Sequence, residues 1–360
     1  MRLDESSILA LAPERLLNQR VSRYGGDGMD VSMRDLTTDD ARHVAKLYGA
    51  LSTLLGELRE ALGVPAGDGR APGGFSTGSP DLHYASAESA ASARQVLVRT
   101  AKDPAWREAM AAARALRGAA PSGADDASRR KMVTQVLHDV RGGALTALAL
   151  TLDLIGIRSA STADIVRTFY LTRDHLKIMR NALADVDVEA RDRDRAYRDH
   201  GTRLLFEKWA SATHQLAPER SARIDVDSTY EGPVSRRCLE FSALDRVLYN
   251  LMNNAVRFTS DGVVTLYLRE VGGNLRFVVA NTITVNQLDA LRAAHGESLG
   301  SLYLGGFTTG GEGVGLSICA EFVANAFGLS GAADAILDGH VGATVMDDTF
   351  VTWFHWPMGA

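Results

Sequence analysis

The sequence predicts a multidomain protein with a helical N-terminal part and a C-terminal α/β sandwich. Apolar residues recur every three or four positions through the first half of the chain, which is typical of amphipathic helices. After about residue 200 they alternate with polar residues in short runs, which is typical of strands. Polar stretches rich in Gly, Pro and Ser separate the parts. We therefore expect a helical region at 1–125, a helical hairpin at 126–200 and a sandwich at 201–360.

Composition and charge exclude several classes of protein. The chain has 360 residues, of which 46% are hydrophobic, and its net charge of −5 provides no broad basic surface for nucleic acid. Its longest apolar stretch, 144–157, is too short to span a bilayer, and the first residues lack a secretory signal. Cys238 and Cys319 are the only cysteines, which gives neither a disulfide framework nor a metal cluster. We expect a soluble, cytoplasmic protein without membrane insertion.

The first 125 residues are helical in pattern but carry no cofactor motif. One face of an amphipathic helix is marked by Val44, Leu47, Leu51, Leu54, Leu58 and Leu62. Thr38 and Asp39 can cap the start of this helix. The stretch 64–80 predicts a linker or long loop, and 86–117 is Ala-rich and helical. A sensory or regulatory role, partner binding and the extension of a dimer all stay open for this region.

Two further apolar stripes predict an antiparallel helical hairpin. The first stripe consists of Val133, Leu137, Val140, Ala144, Leu148, Thr151 and Ile155. The second follows a capping box at Ser161 and Asp164 and consists of Ile165, Phe169, Thr172, Leu176, Met179, Leu183 and Val186. A lone hairpin buries only one stripe, so two hairpins are expected to pair as a four-helix bundle. This predicts a homodimer.

His138 and Asp139 lie within the first helix of the hairpin. His138 follows the seam residue Leu137, so it turns about 100° away from the seam and toward solvent. A neutral imidazole is a nucleophile near pH 7, and an adjacent carboxylate can hold its other ring nitrogen. The alternative is an ordinary histidine on a polar helix face. Gly142 and Gly143 come next and should bend the helix just after His138.

A second polar group lies on a predicted helix before residue 260. The buried stripe of this helix consists of Leu244, Leu248, Leu251 and Ala255. Asn250, Asn254 and Arg257 share another face, at spacings of four and three. Mg²⁺ prefers oxygen ligands and usually keeps waters, so an amide oxygen together with phosphate oxygens suits it. The alternative, a helix with a polar solvent side, leaves the clustered amides unexplained.

A glycine-rich run at 310–316 precedes another apolar helix, which continues through Phe327. Glycines before a helix let backbone N–H groups approach phosphate oxygens, helped by the positive helix end. The run lacks the Gly-Lys-Ser/Thr of a Walker loop and does not follow a strand of a βαβ unit. It is therefore a candidate phosphate cradle or a simple turn.

Taken in order, these three motifs resemble those of the sensor histidine kinases. The resemblance covers about Arg129 to the C-terminus and consists of a histidine in a helical hairpin, an NLxxNAxxFT helix and a GxGxGL run. It implies a dimerisation and histidine phosphotransfer hairpin followed by an ATP-binding domain of the gyrase and histidine kinase type. It further implies ATP and Mg²⁺ as ligands, and a response-regulator receiver domain as the partner.

The resemblance also implies roles for individual residues. His138 would be the phosphoacceptor and Asp139 its acid/base helper, while Asn254 would bind Mg²⁺. The implied nucleotide contacts are Asn250, Asn254, Arg257, Phe258, Asn281, Phe307, Gly311, Gly313, Gly315 and Leu316. Phe307 would lie in the lid over the nucleotide, and the three glycines in the loop that opens and closes on it.

The sequence departs from the family pattern at three points. Asn281 stands where most members have an Asp that reads the adenine amino group, and the two glycines that usually follow are missing. Gly142 and Gly143 replace the usual Pro, and Gly142 also occupies the position where phosphatase-active members often carry Thr or Asn. The main expectation is ATP-dependent autophosphorylation on His138 with transfer to a receiver aspartate. The alternatives are a pseudokinase or phosphotransfer scaffold and an ATPase of the same fold.

Overall fold

The structure is a computed structural model. It describes residues 3–11, 31–64, 86–116, 127–142, 144–155, 160–194, 197–206, 209, 213–217, 220–296, 299–304 and 315–358. These residues pack as two compact units, one formed by 31–194 and the other by 3–11 together with 197–358. The first helix, α1 (Glu5–Ala10), therefore belongs to the second unit although it begins the chain. We call these the helical unit and the sheet unit.

The helical unit is built from seven helices among the described residues. These are α2 (Thr38–Leu62), α3 (Ala87–Lys102), α4 (Pro104–Ala115), α5 (Ala127–Arg141), α6 (Ala144–Ile155), α7 (Thr162–Ala182) and α8 (Val188–Asp194). No helix in the described part of the chain combines the length and the apolar character required to cross a bilayer. The predicted helical character of the N-terminal part is confirmed.

Helix α2 follows its predicted pattern closely. Val44, Leu51 and Leu58 are fully buried, as the apolar spacing predicts. The helix is capped by Thr37, whose side chain accepts a hydrogen bond from the Asp40 amide, and not by Thr38 as predicted. The error is one residue, because Thr37 and Thr38 are chemically alike and only backbone geometry separates them. The predicted linker at 64–80 lies outside the described residues except for its first residue.

The first predicted hairpin helix is broken into two. Helix α5 ends at Arg141 and α6 begins at Ala144, so the bend expected at Gly142 is confirmed. The capping box is also confirmed, since the Ser161 side chain accepts from the Asp164 amide and Asp164 accepts from the Ser161 amide. Helix α7 ends at Ala182, which places the last residue of the predicted seam, Val186, beyond the helix.

The seam of the hairpin is covered within the same chain. Helix α7 packs against α2 and α3 as well as against α5 and α6, and α3 also packs against α6. Leu148, Leu176 and Met179 of the predicted seam are at most 2% exposed in the single chain. A second hairpin is therefore not needed to bury this stripe, because α2 and α3 already do so. The homodimer itself stays a prediction.

The sheet unit contains one six-stranded mixed sheet and a small two-stranded sheet. Strands β1 (Tyr197–Gly201) and β4 (Pro233–Arg237) form the small sheet. The large sheet has the order β2-β3-β5-β6-β8-β7 and consists of β2 (Thr213–Ala217), β3 (Arg220–Ser228), β5 (Val263–Val271), β6 (Asn274–Thr282), β7 (Val341–Met346) and β8 (Thr349–Pro357). The helices of the unit are α9 (Thr202–Phe206), α10 (Cys238–Phe258), α11 (Val285–His295), α12 (Gly315–Phe327) and α13 (Ala332–Leu337). The predicted α/β character of this part of the chain is confirmed.

The two faces of the large sheet are covered differently. Helices α10 and α12 pack on the face that carries Leu275, Phe277 and Val279 of β6. The other face, reached by the alternate residues Val278 and Ala280, packs against Leu3, Ile8 and Leu11 of the N-terminal segment. The sequence did not predict that this segment would pack against strands that lie more than 250 residues later in the chain.

Candidate functional site

Helix α10 presents a polar face of amides, as its spacing predicts. Its buried side is formed by Leu244, Leu248, Leu251 and Ala255, all at most 5% exposed. Asn250 and Asn254 are half-buried, and Arg257 is exposed with its guanidinium 5.3 Å from the centre of the Phe258 ring. Asn253 is also half-buried and falls on this face, at three residues from Asn250. Helical spacing already contained that signal, and the sequence reasoning did not use it.

The N-terminus of α12 lies beside this amide face. A Cβ added to Gly315, the first residue of α12, would lie 3.8 Å from Asn250 Oδ1. The first amides of a helix lack partners within that helix and attract anionic groups. Asn250 therefore joins two features that the sequence suggested separately, the amide helix and the end of the glycine run.

Cys319 is a further contact of Asn250 that the sequence did not identify. It lies one turn after Gly315 on α12, is fully buried, and places its Sγ 3.7 Å from the carbonyl oxygen of Val247. Burial raises the pKa of the Cys319 thiol to about 12, against a smaller opposing effect of a hydrogen bond with Asn250. The residue stays a thiol at neutral pH and contacts Asn250 from within the packed interior of the unit.

The end of α10 is fixed by β6 and α11. Gln287 Nε2 donates to the carbonyl oxygen of Phe258 at 3.1 Å, and the Ser260 amide donates to the carbonyl oxygen of Thr282 at 3.0 Å. Asn281 precedes Thr282 on β6 and is 4% exposed, on the sheet face that the helices cover. Its Nδ2 donates to the carbonyl oxygen of Thr282 at 3.2 Å. These contacts hold Asn281 close to the end of the helix that carries Asn254 and Arg257.

The remaining predicted nucleotide contacts are only partly described. Phe307, Gly311 and Gly313 lie outside the described residues. Gly315 and Leu316 form the start of α12, as predicted from the apolar helix after the glycine run. The described half of the proposed cradle is thus the helix end itself, together with Asn250.

A separate candidate site, in the helical unit, is the pair His138 and Asp139 on α5. His138 Nδ1 lies 3.6 Å from Asp139 Oδ1. The His138 side chain is 19% exposed and that of Asp139 is 5% exposed, so the histidine is less open to solvent than predicted but still accessible. A carboxylate on the Nδ1 side favours the tautomer with a proton on Nδ1 and a lone pair on Nε2. In that tautomer the unprotonated ring nitrogen is Nε2.

Two contacts fix the end of α5 around His138. The Gly142 amide donates to the carbonyl oxygen of His138 at 2.8 Å, which closes the last helical turn. Arg141 Nη1 donates to the carbonyl oxygen of Leu116, at the end of α4, at 3.0 Å. A Cβ added to Gly142 would lie 3.0 Å from the His138 carbonyl oxygen and 3.9 Å from its Cε1 atom. Glycine at this position therefore leaves room next to the ring.

Comparison with known protein families shows what most of the sheet unit is similar to. Residues 240–357 match the sequence pattern of the family described as histidine kinase-, DNA gyrase B-, and HSP90-like ATPase. This match contains all but the first two residues of α10, together with β5, β6, α12 and β8, and hence the amide face and the end of the glycine run. No curated protein resembles the chain closely enough in sequence to count as a match.

Three solved structures illustrate how distant the structural likenesses are. The catalytic domain of histidine kinase ThkA is 19% identical and covers 38% of this chain and 78% of its own, with a TM-score of 0.26. The Acinetobacter baumannii histidine kinase AdeS is 14% identical and covers 61% and 98%, with a TM-score of 0.30. A histidine kinase from Burkholderia phymatum is 14% identical and covers 65% and 100%, with a TM-score of 0.30.

The polar face of α10, the start of α12 beside it and the family match point to the same nucleotide-binding function. The resemblance to the sensor histidine kinases that the sequence motifs indicated is supported by the same match. Over residues 240–357, the chain is similar to the ATPase family that comprises histidine kinases, DNA gyrase B and HSP90.

Proposed function

We propose that this protein is a histidine kinase that transfers the γ-phosphoryl group of ATP to Nε2 of His138. The observation that carries the proposal is the accessible His138 beside Asp139, in a chain that also contains an ATPase domain of the histidine kinase type. A plain ATPase of the same family would leave this histidine and carboxylate pair without a role.

The proposed transfer balances without an external base. The lone pair on Nε2 forms the N–P bond as the bond between the γ-phosphorus and its bridging oxygen breaks, and ADP leaves. The ring keeps its proton on Nδ1, where Asp139 stabilises the positive charge that develops. Phosphoryl transfer of this kind depends mainly on positioning and on charge stabilisation. Both are tasks that the described side chains can perform.

The amide face of α10 fits the nucleotide and its metal ion. Asn254 offers an amide oxygen, which is a suitable ligand for Mg²⁺ alongside phosphate oxygens and waters. When bound, Mg²⁺ would neutralise charge on the phosphates during transfer. Asn250 and the first amides of α12 would contact phosphate oxygens, Arg257 adds positive charge, and Asn281 can accept a hydrogen bond from the adenine amino group.

We also propose that a receiver domain of a response regulator accepts the phosphoryl group from His138 on an aspartate. This partner follows from the family resemblance, as does a homodimer of the chain. A homodimer would need a surface other than the hairpin seam, which α2 and α3 cover. A reaction that consumes ATP and feeds a receiver domain implies a cytoplasmic protein.

The reaction is tested with γ-labelled ATP and the full chain. The wild-type protein should acquire acid-labile label, and the His138→Ala variant should acquire none, because the acceptor is removed. His43→Ala is the matched control, since His43 is a half-buried histidine on α2 of the same unit. Label that persists in His138→Ala, or label that resists acid, contradicts the proposal.

A phosphotransfer scaffold is the second candidate function. It is favoured by Asn281, a buried amide where a carboxylate would otherwise read the adenine amino group. A scaffold would exchange phosphoryl groups between His138 and receiver aspartates without its own ATP step. Titration with ATP in the presence of Mg²⁺ separates the two, because saturable Mg²⁺-dependent binding favours the kinase and no binding favours the scaffold.

A further inference from the structure

The break between α5 and α6 leaves the end of α5 in need of hydrogen-bond partners. The last carbonyl groups of a helix lack the amide donors that another turn would supply. Helix α5 ends at Arg141, one turn after His138. The carbonyl oxygen of Val140 is satisfied by His175 of α7, whose Nε2 lies 3.0 Å away and donates the hydrogen bond. A side chain of the second hairpin helix thus completes the first.

His175 is held in one chemical state by its surroundings. The residue has no exposed surface, and burial lowers its pKa to about 4, so the ring is neutral at neutral pH. Donation to a carbonyl requires the proton to be on Nε2, which leaves a lone pair on Nδ1. That Nδ1 atom is buried and has no hydrogen-bond partner among the described residues.

An unpaired buried nitrogen has an energetic cost. A buried polar atom without a hydrogen-bond partner destabilises the folded state, and an apolar side chain at 175 would avoid that cost on Nδ1. The same apolar side chain would, however, leave the Val140 carbonyl oxygen without its hydrogen-bond donor. His175 therefore leaves its own Nδ1 without a partner, while its Nε2 holds the end of α5 through the Val140 carbonyl.

The end of α5 is the backbone that carries the proposed phosphoacceptor. His138 precedes Val140 by two residues, and the Gly142 amide bonds back to the His138 carbonyl at 2.8 Å. Any movement of the Val140 carbonyl therefore moves the last turn of α5 and the ring attached to it. In-line attack tolerates little displacement, since a misplacement of about 1 Å can cost on the order of 100-fold in rate.

We propose that His175 is a positioning residue for phosphoryl transfer, whose hydrogen bond to the Val140 carbonyl holds Nε2 of His138 in place for attack. The proposal rests on the proposed function, because it assumes that His138 is the acceptor. His175 itself touches neither the nucleotide nor the reacting atoms in this role. It acts through the backbone of α5.

The test compares three variants of the full chain during autophosphorylation. His175→Leu removes the donor, and we expect kcat to fall at least about tenfold while KM for ATP stays unchanged, because nucleotide binding is not involved. His175→Gln keeps an N–H donor near the position of Nε2 and should restore most of the rate. Thr172→Val is the control, since Thr172 Oγ1 donates at 2.7 Å within α7, to the carbonyl oxygen of Thr168. Thr172→Val should leave kcat at the wild-type value.

A second readout does not depend on ATP. Phosphoramidate can phosphorylate an accessible histidine directly, with His138→Ala as the blank. We expect His175→Leu to change the rate of this modification at His138, and His175→Gln to resemble the wild type. If wild-type protein takes no label from ATP, the proposed kinase reaction is contradicted, while the phosphoramidate rates still decide the role of His175.

Three outcomes would overturn the positioning role. One is a wild-type rate in His175→Leu by both readouts, and another is an equal loss of rate in Thr172→Val, which would indicate a general effect of destabilised α7. If His175→Leu does not fold, His175→Gln is compared with His175→Asn, whose shorter amide cannot reach the Val140 carbonyl in the same way. Equal rates for Gln and Asn at position 175 then count against the proposal.

Discussion

At the scale of single residues, the polar face of α10 shows what spacing can predict and what it cannot. Asn250, Asn254 and Arg257 share a face because of helical geometry alone, so their grouping was predicted from sequence. The contact of Asn250 with the start of α12 and with Cys319 depends on how two helices pack over the sheet. Nothing in the local sequence of either helix contains that information.

Loss of Asn254 should weaken Mg²⁺-dependent nucleotide binding. Asn254→Ala removes the amide oxygen proposed as a metal ligand, and we expect autophosphorylation to fall on the order of 100-fold, since the charge on the phosphates is less well balanced. The measurement is initial labelling rate against Mg²⁺ concentration. Asn325→Ala is the control, because Asn325 is a half-buried asparagine on α12, about three turns after Gly315. Equal effects of both variants would contradict the assignment of Asn254.

The pH dependence of stability should reveal the buried state of His175. Its pKa is about 4 in the folded protein and near 6.5 when unfolded, so the neutral form is favoured by folding. This contribution is fully present above pH 6.5 and is lost as the pH falls toward 4, at up to about 1.4 kcal/mol per pH unit. Chemical unfolding at several pH values should show a weaker pH dependence in His175→Gln than in wild type over this range. Identical slopes would contradict the burial of a neutral imidazole.

At the scale of secondary structure, α1 shows how a short helix is stabilised by tertiary contacts. Six residues are too few for a stable helix in water, so α1 depends on what it packs against. Arg276 of β6 is 1% exposed, and its Nη1 donates to the carbonyl oxygens of Ile8 and Leu9, each at 2.8 Å. The Leu3 amide donates to the Tyr267 hydroxyl at 2.9 Å. These contacts attach the segment at both of its ends.

Ionic contacts add to the attachment of α1. Arg269 Nε lies 2.9 Å from Glu5 Oε2, and Arg269 Nη2 lies 2.9 Å from Asp227 Oδ1.

Arg276 Nε also donates to His355 Nε2 at 2.8 Å, which requires a neutral acceptor ring. Burial, with the neighbouring Arg276 and His340, lowers the pKa of His355 to about 3 and keeps it neutral. The buried arginine thus bridges α1 to strand β8.

Substitution in α1 should therefore destabilise the sheet unit. Ile8→Asp places a carboxylate in a site with no exposed surface, and we expect a loss of about 3–5 kcal/mol in unfolding free energy. Leu9→Asp is the matched control, because the Leu9 side chain is 46% exposed and its replacement should cost less than about 0.5 kcal/mol. Unfolding is followed by hydrogen exchange of β6 and β8 amides. Similar effects of the two variants would mean that α1 does not pack as described.

At the scale of the whole molecule, the sequence predicted the class of each part but not how the parts are assembled. Helices in the first half and strands in the second follow from periodicity, which is a local property. The cover that α2 and α3 provide for the hairpin joins segments separated by more than 40 residues, and no pattern within either segment specifies it. An isolated hairpin would need a second hairpin to bury its seam, but here α2 and α3 of the same chain bury it.

The closed seam makes a prediction about oligomeric state. Leu176→Ala removes a side chain that is 2% exposed in the single chain, so it should lower the unfolding free energy by about 2–5 kcal/mol. It should leave the number of subunits unchanged, whatever that number is for the wild type. Sedimentation equilibrium of both proteins under native conditions provides the measurement. A dimeric wild type that dissociates in Leu176→Ala would show instead that the seam is the interface.

The docking of α1 on the sheet also has a consequence for synthesis of the protein in the cell. Arg276 and its partner Ile8 are 268 positions apart, so at ordinary translation speeds the apolar segment waits on the order of tens of seconds for its sheet. The helical unit is made in between and has all its own partners before the strands emerge from the ribosome. A segment made before the whole helical unit is therefore among the last to find its place, and until then its apolar side chains lack their partners in the sheet.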